Sequence, residues 1–263
     1  KRMNSFWLPA FTLGWREIVR FYRDRSRVIG SFAPPLLFWV MIGFGLGGSF
    51  QSPGASKVGY LHFLFSGTAV LIVLFTAIFS TISIIEDRRE GFMQSVLVAP
   101  VSRGAIVLGK ILGGSAVALL QGLIFVVLAP LAGIPIDFVQ GVSLVGVMFG
   151  IAFALTGLGF LIAWRMQSTQ GFHAIMNLFL MPMWLLSGSL FPLSGAAPWL
   201  KWIMVFNPLT YGVSAFQRVL LGKNYPAEAG SLPLCLAVIA LFGLMMFGLS
   251  WQVALRRKRA DAV

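Results

Sequence analysis

The chain holds 263 residues, of which 58% are hydrophobic and only 11% charged, and its mean hydropathy is +0.87. A soluble globular domain carries about 25% charged residues, so this composition excludes one and reads as an integral membrane protein. The net charge of +12 would suit a nucleic-acid binder in a soluble chain. Here the basic residues flank apolar runs, where they set topology and meet anionic lipid, and no nucleic-acid partner is expected.

From the N-terminus, residues 5–27 predict an amphipathic helix too polar to insert. Phe11, Trp15, Ile18 and Tyr22 form one stripe, and Arg16, Arg20, Arg23 and Arg27 lie away from it. Such a helix is expected to lie flat at the headgroup level with its arginines toward water. No signal peptide is expected, because the first long apolar run follows seven basic residues and continues as a full span. Six spans of about 20 apolar residues follow at 28–50, 61–85, 106–133, 141–164, 172–190 and 232–255. Pro34 and Pro35 interrupt the first, and Lys110 sits near one end of the third, where its long side chain is expected to reach the headgroups.

Between the second and third spans, residues 86–110 pack three carboxylates and two arginines into Glu86–Glu90. After Gly91 the pattern is amphipathic. Phe92, Met93, Val96 and Leu97 fall on one side, Asp87, Arg88, Gln94 and Ser95 on the other, and Pro100 stops the helix. The expectation is a short surface helix presenting charges and a few apolar knobs to a soluble partner. Because these side chains lie outside the hydrocarbon, reversing charges at Asp87 and Glu90 is expected to leave folding and insertion intact.

Basic residues orient the chain. The N-terminal segment carries seven, the loop after the second span three, the loop after the fourth one and the C-terminal tail four, making fifteen. The opposite side carries Lys57, Lys201, Arg218 and Lys223, with Lys110 assigned to a span. Both termini and the Glu86 loop are therefore expected in the cytoplasm. The connection at 191–231 holds two apolar pieces, 199–206 and 209–221, too short to span and too apolar for a solvated loop. They predict re-entrant or interfacial helices broken at Asn207–Pro208, with Trp199 and Trp202 suited to an aromatic belt.

Catalytic and metal motifs are missing from the sequence. Gly104 to Lys110 matches part of a phosphate-binding loop, but Ile111 stands where magnesium needs Ser or Thr and no strand precedes it. His62 and His173 lack partners at ligand spacing, and Cys235, alone within an apolar run, permits no intrachain disulfide. No paired intramembrane carboxylates are read, and Asp137 is an isolated acid in a short connection. Three small-residue pairs, Gly43/Gly47, Gly109/Gly113 and Gly146/Gly150, would let helices approach closely.

Taken together, the arrangement resembles the permease subunit of ABC exporters of the second type. The resemblance rests on Asp87-Arg88-x-x-Gly91 followed by Leu97, Ala99-Pro100, Ser102 and Gly109-Lys110, then on Asn207-Pro208-Leu209-x-Tyr211 with Arg218. Gln94 stands where the family often has Glu. The resemblance implies an all-α membrane fold of one permease domain over residues 1–263: an interfacial helix at 1–27, five spans over 28–190, an outer region at 191–231, a sixth span at 232–255 and a tail at 256–263.

It also implies a coupling helix docking on a separate ATPase, with Glu86, Asp87, Arg88, Arg89, Glu90, Gly91, Phe92, Gln94 and Pro100 involved. An outer gate would include Phe191, Pro192, Trp199, Asn207, Pro208 and Tyr211. Thr68, Thr76, Ser80, Met176, Asn177 and Met181 offer pathway surfaces, though helix packing explains them equally well. No cofactor is expected in this chain, ATP and magnesium belonging to the ATPase. A second copy or close relative, packed through the first and fifth spans, would complete the pathway in a bacterial plasma membrane. Implied substrates are drugs, lipids or polysaccharides. A self-sufficient secondary transporter is the alternative, disfavoured by the lack of intramembrane charge and of inverted repeats.

Overall fold

The computed structural model describes residues 4–45, 60–222 and 229–260. Gly47, Lys57, the end of the first expected span and residues 223–228 lie outside the described residues. All regular structure among the described residues is helical. The helices are α1 (Asn4–Arg23), α2 (Arg25–Gly45), α3 (Tyr60–Ser80), α4 (Ile82–Arg89), α5 (Phe92–Val98) and α6 (Arg103–Val126). There follow α7 (Phe138–Ala163), α8 (Thr169–Trp184), α9 (Pro198–Phe206), α10 (Pro208–Leu221) and α11 (Leu232–Ala260). Among the described residues six segments are long and apolar enough to cross a membrane, one for each expected span.

Local chemistry sets the boundaries. Ser102, Asp137, Ser168 and Asn207 cap α6, α7, α8 and α10, each accepting from a backbone N–H of the first turn. Asp137 is therefore a structural residue, accepting from Gln140 N at 2.6 Å while its own backbone N–H donates to Gln140 Oε1 at 3.1 Å. The third span is shorter than its apolar run, because Pro130 cannot continue the ladder and residues Ala129–Ala132 tighten into a 3-10 turn. Pro34 and Pro35 are held inside α2.

At the centre stands α3. It is apolar all round, and such a helix belongs in an interior; 89% of its most apolar window is buried, against 22% for α2 and for α11 and 33% for α8. It packs on α2, α6, α7 and α10, while α11 lies against α7 and α10. The fifth span breaks near its end: Pro182 lies within α8, a π-helical turn follows at Leu185–Ser189, and Gly188 adopts φ +80°. Gly67 of α3 lets the break approach, since a Cβ there would overlap the Ser189 carbonyl.

Among the described residues, Gly109 and Gly113 make a close double seam. A Cβ on Gly109 would lie 2.5 Å from Ala10 O, and one on Gly113 would lie 2.7 Å from Gly14 O, so α1 sits directly on α6. Gly150 meets Ile239 and Gly146 faces open space. The stripe of α1 that faces inward is Ala10, Leu13, Gly14, Glu17 and Phe21, whereas Phe11, Trp15 and Tyr22 are exposed.

Candidate functional site

The charges at 86–90 do not form a solvated patch. They cap the end of α4, and α5 starts afresh after Gly91, whose φ of +78° turns the chain. Asp87 and Gln94 therefore do not share one helical face, and Asp87 is fully buried rather than offered to a partner. Arg16 of α1 grips it with two bonds of 2.7 and 2.9 Å, and Arg20 adds a third at 2.5 Å. Glu86 receives Arg20 at 2.9 Å and Arg27 at 2.7 Å. Three of the four arginines expected to face water thus turn to carboxylates of α4, and Arg23 remains exposed. The Arg16 guanidinium also lies 3.7 Å from the centre of the Phe92 ring.

Lys110 closes the cluster from α6. Instead of reaching headgroups it is buried, with Nζ 2.6 Å from Glu17 Oε1, 3.4 Å from Ser83 Oγ and bonded to Asp87 Oδ2. Ser83 in turn donates to Glu17 Oε2 at 2.5 Å. Two buried carboxylates therefore share one ammonium, a pairing the sequence reading did not find. Breaking such a group leaves a buried charge unpaired and costs about 3–5 kcal/mol, so the expectation that folding tolerates a reversal at Asp87 does not hold. Outside the spans, the Asp24 carboxyl at the α1–α2 joint is held below its ordinary range, first by the Ser26 hydroxyl and then by the backbone and charge of Arg27.

On the other flank, Arg88 donates to Trp164 O at 2.7 Å and Met166 O at 3.0 Å, and Arg89 to Gln167 O at 3.0 Å. The α7–α8 turn is tied to α4 in this way. What remains exposed is Arg89 and Glu90, the latter with 61% of its side chain open, together with Gln94, Ser95, Val98 and Pro100. Val98 is 87% exposed, although Met93 on the same short helix is buried. A short helix thus presents one face outward from a mount built by α1, α4, α6 and the α7–α8 turn.

The other two residue sets divide. Thr68, Thr76, Ser80 and Met176 are buried within the protomer, whereas Asn177 and Met181 are exposed. In the outer set Phe191, Pro192, Pro208 and Tyr211 are partly buried and Trp199 is exposed. Asn207 of that set bonds to the break in the fifth span, donating to Met183 O at 2.6 Å and Leu186 O at 3.2 Å. Thr210 and Gln217, which sequence reasoning passed over, bond to Leu186 O and Gly188 O. His62 bonds to Ala132 O at 2.8 Å and His173 packs on Phe79. Among the described residues no group of His, Cys, Asp and Glu could hold a metal.

Comparison with known proteins agrees with this architecture. Nodulation protein J of Neorhizobium galegae is 28% identical over 260 residues, covering 97% of this chain and 92% of the relative. Nodulation protein J of Rhizobium leguminosarum bv. trifolii is 28% identical over 228 residues, with 82% and 84% covered. The transport permease ycf38 of Pyropia yezoensis is 26% identical over 221 residues, with 80% and 73% covered. The model of the ABC-2 type transporter family matches residues 10–221, from the buried stripe of α1 to the end of α10, and the chain belongs to that family.

Proposed function

We propose that this chain is the membrane subunit of an ATP-driven exporter that moves an amphipathic or polymeric substrate, such as a drug, lipid or polysaccharide, out of the cytoplasm. The carrying observation is the exposed face of α5 on its ion-paired mount. A separate ABC ATPase docks there, and its closure on ATP and magnesium pushes a block that includes α1, α4 and α6. The candidate span Tyr60–Arg89 is 30 residues long, about 45 Å of helix, and exceeds the roughly 30 Å hydrocarbon thickness. That length supports a cytoplasmic projection of α4, and the basic-residue bias supports both termini on that same side of a bacterial plasma membrane. A second copy packs through α2 and α8, the first and fifth spans, as the family resemblance implies; α2 and α8 are poorly covered within one protomer, as α11 also is. An amphipathic cargo gains support from the charge-poor outer half.

A secondary transporter is the second reading, because Glu17 and Asp87 are buried acids that the sequence reading lacked. Lys110 and Arg16 neutralise them within the fold, which suits a structural joint better than a proton carrier. Reconstitution with the co-expressed ATPase decides between them. Export into vesicles that requires ATP and ignores an imposed proton gradient is expected; export by the chain alone on a gradient would contradict the exporter reading.

A further inference from the structure

We propose that Asn207 is a positioning residue, the pivot on which α9 moves as an arm while α10 stays fixed to the broken fifth span. The last carbonyls of a helix have no partner within it, and the break at Leu186 and Gly188 frees such groups inside the protein. One side chain meets both sides of the problem. The Asn207 amide nitrogen donates to Met183 O and Leu186 O, and its Oδ1 accepts from Leu209 N at 3.0 Å, so a single residue closes the break and caps α10.

Beyond that residue the two helices differ sharply. In α10, Leu209, Thr210, Val213, Phe216, Gln217 and Leu220 are buried, and Gln217 adds its bond to Gly188 O at 3.4 Å. In α9 only Met204 is buried, and Trp199, Trp202 and Phe206 are 67, 68 and 80% exposed. The described bonds that hold α9 to the hinge are at its C-terminal end, where Thr210 donates to Met204 O at 2.6 Å. Pro208 keeps the preceding residue extended, and Asn207 has φ −78° and ψ 113°, so the helix does not continue through the bend, and the Thr210 hydroxyl tethers the two sides across it. An open apolar groove of about 660 Å³, bordered by Phe179, Leu180, Met183, Ile203 and Phe206, gives the arm a space to close into.

Any gating role for this pivot rests on the exporter reading; the pivot itself is testable without an ATPase. The experiment is hydrogen exchange on the full chain in lipid nanodiscs, unaltered and with Asn207→Ser, which keeps a capping oxygen but is too short to bridge to the fifth span. In the unaltered chain α9 is expected to exchange at least about tenfold faster than α10. Asn207→Ser is expected to speed exchange at 184–190 about tenfold, the loss of one or two hydrogen bonds, while α10 keeps its protection. Equal protection of α9 and α10 would overturn the pivot, as would an Asn207→Ser chain whose break is unchanged or whose α10 alone loosens. Should that variant not fold, the comparison of α9 with α10 in the unaltered chain decides the matter by itself.

Discussion

Lys110 of α6 meets Glu17 of α1 across 2.6 Å, with side chains only 2% and 4% exposed. Ninety-three positions separate them in sequence, and their contact fixes the N-terminal helix to the third span. With Asp87 on the same ammonium, three helices share one buried ionic joint. Its removal should be felt by the whole end of the bundle that carries α4 and α5.

Lys110→Met and Asp87→Asn should each destabilise the chain by about 3–5 kcal/mol, because each leaves buried partners with uncompensated charge. Glu90→Gln, on a side chain that is 61% exposed, should change stability by less than about 0.5 kcal/mol. Thermal unfolding in detergent, compared across the three variants, checks the contrast. The double variant Lys110→Met with Glu17→Gln should lose less than the two singles together, since the charges are removed as a pair.

The α1–α6 seam makes a steric prediction. Gly109→Val puts a side chain where Ala10 O would already lie 2.5 Å from the added Cβ, and backbone cannot step aside as a flexible side chain can. Loss of α1 seating should appear as faster proteolysis near Trp15. Gly146→Ala, which faces open space, should instead be neutral or stabilise by up to about 1 kcal/mol through helix propensity.

Dimer contacts are expected along α2 and α8. Met41 and Leu178 are each 70% exposed, and cysteines placed there in a Cys235→Ala background should cross-link two copies in lipid. A cysteine at Leu244 of α11, also exposed at 66%, should not. Cross-linking at Leu244 alone would move the interface to α11.

The spans were legible in the sequence because each carries its own signal, an apolar run of sufficient length, and so was the division at Asn207–Pro208, where a cap and a proline mark it locally. The destinations of the charges were not. Arg16 and Asp87 are 71 residues apart, and a helical period shows which residues share a face without showing which helix that face meets. Gly91 misled in the same way: its left-handed turn separates two helices that a continuous period had joined. Glu17 left one usable trace, an acid in line with Ala10, Leu13, Gly14 and Phe21 on a stripe otherwise small or apolar. Read beside Gly109, Gly113 and Lys110, that stripe pointed to a seam ending in an ion pair.

The exposed face of α5 is the proposed docking surface, and Val98→Asp tests it most directly. The residue is 87% exposed, so folding and thermal stability should stay within about 0.5 kcal/mol of the unaltered chain. Recovery of the co-expressed ATPase on the purified chain, and substrate-stimulated ATP hydrolysis in lipid, should both fall at least about tenfold, the effect of losing one apolar contact at a packed interface. A Val98→Asp chain that binds its ATPase and stimulates it as before would contradict the claim that this helix transmits the power stroke.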